Sequence, residues 1–173
     1  VPMMPRNAVR LLRSQLADAV SGERPFLLGE TFTHENGFNQ IRYYLGPESL
    51  SSQFDFTLMW GLRSFLNGHT SGILFSDLIE TGIEAWDIPL VHMAPIIGNH
   101  DVPRIATVLN GSLDEELTFD SAFDDISELA AAKASLAWTL NAVQPGLPVL
   151  YYGDEWLTRG ANDPYNRAPF PDL

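Results

Sequence analysis

Ten residues, Pro95-Ile96-Ile97-Gly98-Asn99-His100-Asp101-Val102-Pro103-Arg104, constrain this chain more than any other stretch. A short apolar run stops at a glycine and delivers an imidazole, a carboxylate and, past a proline, a guanidinium into one small volume. Apolar residues in unbroken sequence rather than in alternation suit a strand buried on both faces, as in parallel sheets, and Pro103 keeps the residue before it out of helix. His100 and Asp101 are therefore expected at the carboxyl end of a strand. Taken alone, the same residues also suit a Gly-Asn turn with a capping Asp and a surface His.

Other stretches repeat the pattern. Pro25-Phe26-Leu27-Leu28-Gly29-Glu30 is a brief apolar run, a glycine and an acid, and Leu147-Pro148-Val149-Leu150-Tyr151-Tyr152-Gly153-Asp154-Glu155 is another. A short strand is expected at Phe54 to Thr57, and residues 33 to 52 read as loop. Between the strands lie helical patterns. Asn7 can cap a helix with Ala8, Leu11, Leu12, Leu16, Ala19 and Val20 inward and Arg6, Arg10, Arg13 and Asp18 outward. A second runs through Trp60, Leu62, Phe65 and Leu66 to Asn67-Gly68, and a third spans Ile73 to Ile79 and is broken by Gly82. Ile126 to Val143 is the clearest helix, with Leu129, Ala132, Leu136, Ala137, Leu140 and Val143 as its buried stripe. Strand and helix alternate four times, which implies an α/β fold with a parallel sheet and helical crossovers. Ligands bind outside the carboxyl ends of such strands, where Glu30, Asp101, Asp154 and Glu155 would gather. Four strands curved in this way make half of an eight-stranded barrel and leave two open edges.

Length and composition bound the alternatives. A chain of 173 residues with 45% hydrophobic and 18% charged residues can bury a core as one domain. A net charge of −12 argues against nucleic acid and anionic membrane as partners, both of which need basic patches, and suits a neutral ligand. Much of the excess falls in Asp114, Glu115, Glu116, Asp120, Asp124, Asp125 and Glu128, which read as a solvated outer loop and helix start. No cysteine is present, which excludes disulfides and thiolate metal sites. The four histidines show no ligand spacing, so no metal site is expected; His34 and His69 read as surface residues, and His92 as a backbone partner.

Two carboxyl groups on facing strand tips are what glycoside hydrolysis requires, a protonated acid for the leaving oxygen and negative charge near the oxocarbenium-like carbon. Glu30, after Leu27-Leu28-Gly29, has an apolar setting that favours the proton-donating form, whereas Asp101 has polar company in His100 and Arg104. Phe32, Tyr152 and Trp156 lie at strand tips where a sugar ring could stack, with Tyr152 the foremost, while Trp60, Trp86 and Trp138 suit the core.

Three blocks together, Gly29-Glu30, Gly98 to Arg104, and Gly146 to Glu155 leading to Asn162-Asp163-Pro164-Tyr165-Asn166-Arg167, resemble the alpha-amylase family, glycoside hydrolase family 13, in order and spacing. The resemblance covers essentially the whole chain, residues 1 to 173, as one partial catalytic domain: (β/α) units forming strands five to eight of a TIM-type barrel. It implies a retaining glycoside hydrolase acting on alpha-glucosidic linkages of starch-like or malto-oligosaccharide substrates. Glu30 then corresponds to the general acid/base, and His100 and Asp101 to the pair that grips sugar hydroxyls around the distorted ring. Arg104 and Tyr152 are further substrate contacts, and Asp163 and Arg167 match positions that hold a sugar on the non-reducing side. Asp55 matches an acid common on strand six, although a cap or turn suits it equally. Asp154 and Glu155 are expected to bond loop backbone.

The family nucleophile is an Asp in a Gly-x-Arg-x-Asp stretch on strand four, and no such stretch occurs here. Val1-Pro2 resembles the residues that family members carry just past the nucleophile strand. The first half of the barrel, with the nucleophile and the usual calcium ligands, is therefore expected to be a missing partner. No cofactor is expected in this segment, and calcium is left open for the complete enzyme. Two other readings stand: a non-catalytic carbohydrate-binding relative, and a transglycosylase using the same residues. A secreted or periplasmic setting is preferred over a cytoplasmic one. All of these readings require Glu30 and Asp101 to share one rim.

Overall fold

A computed structural model describes residues 4–20, 22–89, 91–111 and 125–170. Three short strands, β1 (Leu28–Gly29), β2 (Ser52–Asp55) and β3 (Ala94–Pro95), pair in parallel in the order β1-β2-β3. Residues 147 to 149 extend the row on the far side of β3. Leu147 N donates to Met93 O at 2.8 Å and Val149 N to Pro95 O at 2.9 Å, the evenly stepped pattern of a parallel neighbour. The architecture is α/β with four parallel extended segments in sequence order.

Helix α1 (Arg6–Ala19) precedes β1, and a short α2 (Phe38–Arg42) lies between β1 and β2, within the stretch expected to be loop. Helices α3 (Phe56–Leu66) and α4 (Gly72–Trp86) connect β2 to β3, and α5 (Ile105–Asn110) and α6 (Glu128–Ala142) connect β3 to the fourth segment. α3 starts directly at the tip of β2 because Asp55 caps it, accepting from Leu58 N at 3.0 Å and from Trp86 Nε1 of α4 at 2.9 Å. Asp55 thus fills the cap role, and burial pushes its carboxyl above the usual range against those donors. Ser71 and Ser127 cap α4 and α6 in the same manner.

Three sequence expectations are corrected here. Gly82 does not break its helix: α4 runs on to Trp86, and Gly82 is a close-approach position, with Trp86 Nε1 3.5 Å and Phe38 3.8 Å from where a Cβ would sit. α1 buries Val9 and Arg13 and leaves Leu11 and Leu12 exposed. The inversion at Arg13 has a cause: its guanidinium donates to Pro25 O at 2.8 Å, to Ser51 Oγ at 2.7 Å and to Ser49 O, polar groups of the turns around β1 and β2. α6 buries Ala130, Ala134, Ala137 and Asn141 with Leu140 packed against them, so Ala137 and Leu140 of the expected stripe face inward while Leu129, Leu136 and Val143 are exposed. Small side chains let α6 lie close to its neighbours, so the alanines rather than the leucines set the inward face.

The core has two parts. One gathers Val9, Ile41, Leu50, Phe56, Met59, Met93 and Ile96 around the sheet. The other gathers Leu58, Leu62, Leu66, Ile97, Ile105 and the three alanines where α3, α5 and α6 meet. Most of the acidic run at 114 to 128 falls outside the described residues, and Asp125 and Glu128 are its described members.

Candidate active site

Glu30 follows β1 directly, and the turn from Gly98 to Pro103 follows β3, so both occupy the carboxyl edge of the parallel row. Asn99 joins them. Its side chain, only 6% exposed, donates through Nδ2 to Glu30 Oε1 at 3.1 Å and accepts from the Asp101 backbone N–H at 3.0 Å. Glu30 is half-buried, and Leu28 before it is 45% exposed, so Leu28 does not close the apolar wall expected around Glu30.

On the far side of Asn99 the groups are polar and open to solvent. His100 Nε2 stands 3.4 Å from Asp101 Oδ1, and Arg167 NH2 3.3 Å from the same oxygen. Arg167 also reaches Asp163 Oδ1 at 2.6 Å and donates to His100 O at 3.1 Å. Exposed ion pairs of this kind contribute between zero and about 1 kcal/mol each. Such an array is better suited to presenting donors and acceptors to a ligand than to holding the fold. Glu30, His100, Asp101, Asp163 and Arg167 are thus brought together on one rim. In the stretch that follows Glu30 an open cavity of about 710 Å³ is lined by Thr31, Phe32, Thr33, His34, Asn39 and Tyr43 among others, though not by Glu30 itself. Phe32 is exposed on one side and packs on Phe56 at 4.8 Å between ring centroids.

Arg104 is placed elsewhere, and the expectation that it touches substrate is corrected. Its side chain is fully buried. It donates to Asn166 O at 2.8 Å, to Asp154 Oδ1 at 3.1 Å and to Tyr152 O, and its guanidinium lies 4.0 Å from the Tyr151 ring centroid and 4.8 Å from that of Tyr152. Arg104 therefore ties the turn after β3 to the turn after the fourth segment. Tyr152 keeps an exposed face, and its hydroxyl donates to Ala168 O at 2.8 Å. Asp154 is the buried counter-charge. It enters a 3₁₀ turn (Asp154–Trp156) after Gly153, whose φ of +87° suits a residue without a Cβ. Burial outweighs the pull of Arg104 and Arg63 and pushes the Asp154 carboxyl up to about 6.

Arg63 and Asn166 carry no assignment from the sequence, and Asn99 stands there only as part of the turn. Arg63 lies four residues after Met59 on the buried stripe of α3, which is the one signal that it points inward. Among the described residues no group of three or more His, Asp or Glu could hold a metal ion. No described helix is long and apolar enough to cross a membrane.

A parallel α/β row with carboxylates on its carboxyl rim defines the class as a (β/α) domain whose ligand face is that rim. No family model matches the chain. Its sequence is 27% identical to the cyclomaltodextrin glucanotransferase of Geobacillus stearothermophilus over 157 residues, 90% of this chain and 19% of that protein. It is 38% identical to the amylopullulanase of Thermoanaerobacter thermohydrosulfuricus over 90 residues, 51% of this chain and 6% of that protein. The fold matches alpha-amylase from Geobacillus thermoleovorans, solved with acarbose, with a TM-score of 0.72 and 22% identity over 98% of this chain and 34% of that one. It matches the cyclic alpha-maltosyl-(1→6)-maltose hydrolase of Arthrobacter globiformis, solved with maltose, with a TM-score of 0.74 and 20% identity over 98% of this chain and 33% of that one. The chain is a relative of the alpha-amylase family enzymes, glycoside hydrolase family 13. It spans about a fifth of the glucanotransferase and a third of the solved structures.

Proposed function

We propose that residues 1 to 173 carry the acid/base side of a retaining glycosidase site for alpha-glucans, as strands five to eight of a TIM-type barrel whose other half holds the nucleophile. The observation that carries this reading is Asn99, hydrogen-bonded at once to the Glu30 carboxylate and to the backbone of Asp101. A single buried amide that binds the Glu30 carboxylate and the backbone carrying Asp101 supports a shared site for them.

In this reading Glu30 protonates the glycosidic oxygen as the bond breaks, and an Asp from outside the chain attacks the anomeric carbon to give the covalent glycosyl-enzyme. Glu30, now ionised, then takes a proton from the incoming hydroxyl as base. Asp101 and His100 hold sugar hydroxyls through contacts that strengthen as the ring flattens. Asp163 and Arg167 hold a more distant sugar, and Tyr152 offers its exposed face. The cavity lined by Thr31, Phe32 and Tyr43 is large enough for a pyranose ring. No step here calls on a cofactor or metal from this chain. A polymeric substrate suits a secreted or periplasmic enzyme.

Transfer to a sugar hydroxyl rather than to water is a second reading, favoured by the glucanotransferase relatives that align with 86–90% of the chain. Both readings use the same residues, and product analysis separates them. In the complete protein, Glu30→Gln is expected to lower turnover of an alpha-glucan by about 10³-fold or more, with Asp101→Asn comparably severe. Near-normal turnover by Glu30→Gln removes Glu30 from the acid role and, with it, the proposal.

A further inference from the structure

The turn that carries Asn99, His100 and Asp101 has no helix or strand to hold it. Its carbonyls are satisfied instead by two buried side chains from other parts of the chain. From below, Arg63 of α3 donates to Ile97 O through Nε at 3.0 Å and NH2 at 2.7 Å, and through NH2 to Pro103 O at 3.0 Å. From the opposite side, Asn166 Nδ2 donates to His100 O at 2.9 Å and Val102 O at 2.7 Å. The Arg63 guanidinium thus spans the entry and the exit of the turn, and Gly98 leaves it room: a Cβ there would sit 2.9 Å from NH2.

A fully buried cation is costly, and burial lowers the Arg63 pKa to about 10, which leaves it charged at neutral pH. The facing charge is Asp154, whose Oδ2 lies on the same side of Gly98. Holding two backbone carbonyls a fixed distance apart is a task for a rigid planar fork, which a lysine ammonium cannot reproduce. The geometry points to Arg63 as a positioning residue: it sets the span of the 97–103 turn and thereby where Asn99 and Asp101 stand relative to Glu30. Arg63 is buried beneath the rim and contacts no substrate. The inference rests on the glycosidase reading for its catalytic consequence and on the hydrogen bonds alone for the clamp.

The test uses the complete protein with Arg63→Lys, which keeps the charge near Asp154 but loses the fork, and Gly98→Ala, which keeps the arginine but crowds its guanidinium off the carbonyls. Two readouts are taken: amide hydrogen exchange across residues 99 to 104, and steady-state kinetics on an alpha-glucan. Both variants are expected to raise exchange in that turn at least about tenfold, while amides of α3 and α6 hold. kcat is expected to fall about 100-fold with KM within about threefold, the signature of misplaced groups rather than lost binding. A purely stabilising Arg63 would lower the melting temperature and leave kcat of the folded enzyme intact. Unchanged exchange in both variants overturns the clamp, and raised exchange with unchanged kcat overturns the positioning role. A wild-type protein inert toward alpha-glucans instead sinks the glycosidase reading, and the catalytic meaning of the clamp falls with it.

Discussion

Asp154 shows how one buried residue can serve the rim without touching a ligand. Its carboxylate is 1% exposed and meets Arg104 at 3.1 Å, with Arg63 as a second cation nearby. Two arginines and one aspartate are an unusual load for a core, and desolvation wins over attraction at the acid. The folded pKa of Asp154, raised to about 6, lies above the unfolded value near 4. The native state therefore holds the proton more tightly, and this group's contribution to stability is full below about pH 4 and lost as the pH rises through about 6. Relative to Asp154→Asn, which cannot titrate, the wild-type chain should lose on the order of 2 kcal/mol between pH 4 and 7. Denaturant midpoints at sub-micromolar chain test this, and a gap between the two proteins that does not change with pH refutes it. At this scale the sequence is informative about chemistry and poor about depth. The rim positions of Glu30, His100 and Asp101 are legible because each follows a strand signal, whereas Asp163 and Arg167 stand out only through the family resemblance. Arg104 reads as a ligand contact because nothing local reveals that Tyr152 O, Asn166 O and Asp154 converge on its guanidinium from 48 to 62 residues away.

The elements are legible where periodicity and capping agree. α3 and α6 begin within two residues of acceptor side chains, Asp55 and Ser127, and α3 ends at Asn67-Gly68 as the residues require. Strand β2 is shifted from its expected place, because Ser52 and Gln53 are polar yet fully buried and so look like loop; Gln53 is satisfied by Thr31 Oγ1 at 2.6 Å and by Ile41 O. The faces of helices are less legible than their spans. In α6 a leucine stripe and an alanine stripe both fit a 3.6-residue period, and only the neighbours decide between them. That outcome can be measured. Ala134→Leu should destabilise the chain by about 1–3 kcal/mol, because the added side chain must enter a fully packed contact with α3 and α5. Leu129→Ala, at a position 66% exposed, should change stability by less than about 0.5 kcal/mol. Chemical denaturation of the two variants should therefore rank them opposite to their hydrophobicity, and the reverse order would restore the leucine face.

At the scale of the molecule, the parallel row has a direction and a rim, and among the described residues it does not close. β1 stands at one end and residues 147 to 149 at the other, and among the described residues no strand pairs along the outer side of either. The side chains near those edges are apolar and open: Phe26 and Leu28 at one, Leu147 and Leu150 at the other, each between 45% and 52% exposed. Flat apolar edges recruit whatever strand is at hand, and a net charge of −12 slows such contact without removing its driving force. The 173-residue chain studied by itself should consequently self-associate at about 50 µM and bind a dye specific for exposed apolar surface. Placing one lysine on each edge, Leu28→Lys with Leu150→Lys, should shift it toward monomer, because strand addition would then bury a charge. Sedimentation velocity across a concentration series distinguishes the cases. A wild-type chain that stays monomeric throughout and binds no dye would mean that the edges are already protected, and the open-row description would have to be abandoned. Association unaffected by both lysines would instead move the contact to the exposed leucines of α1 or α6.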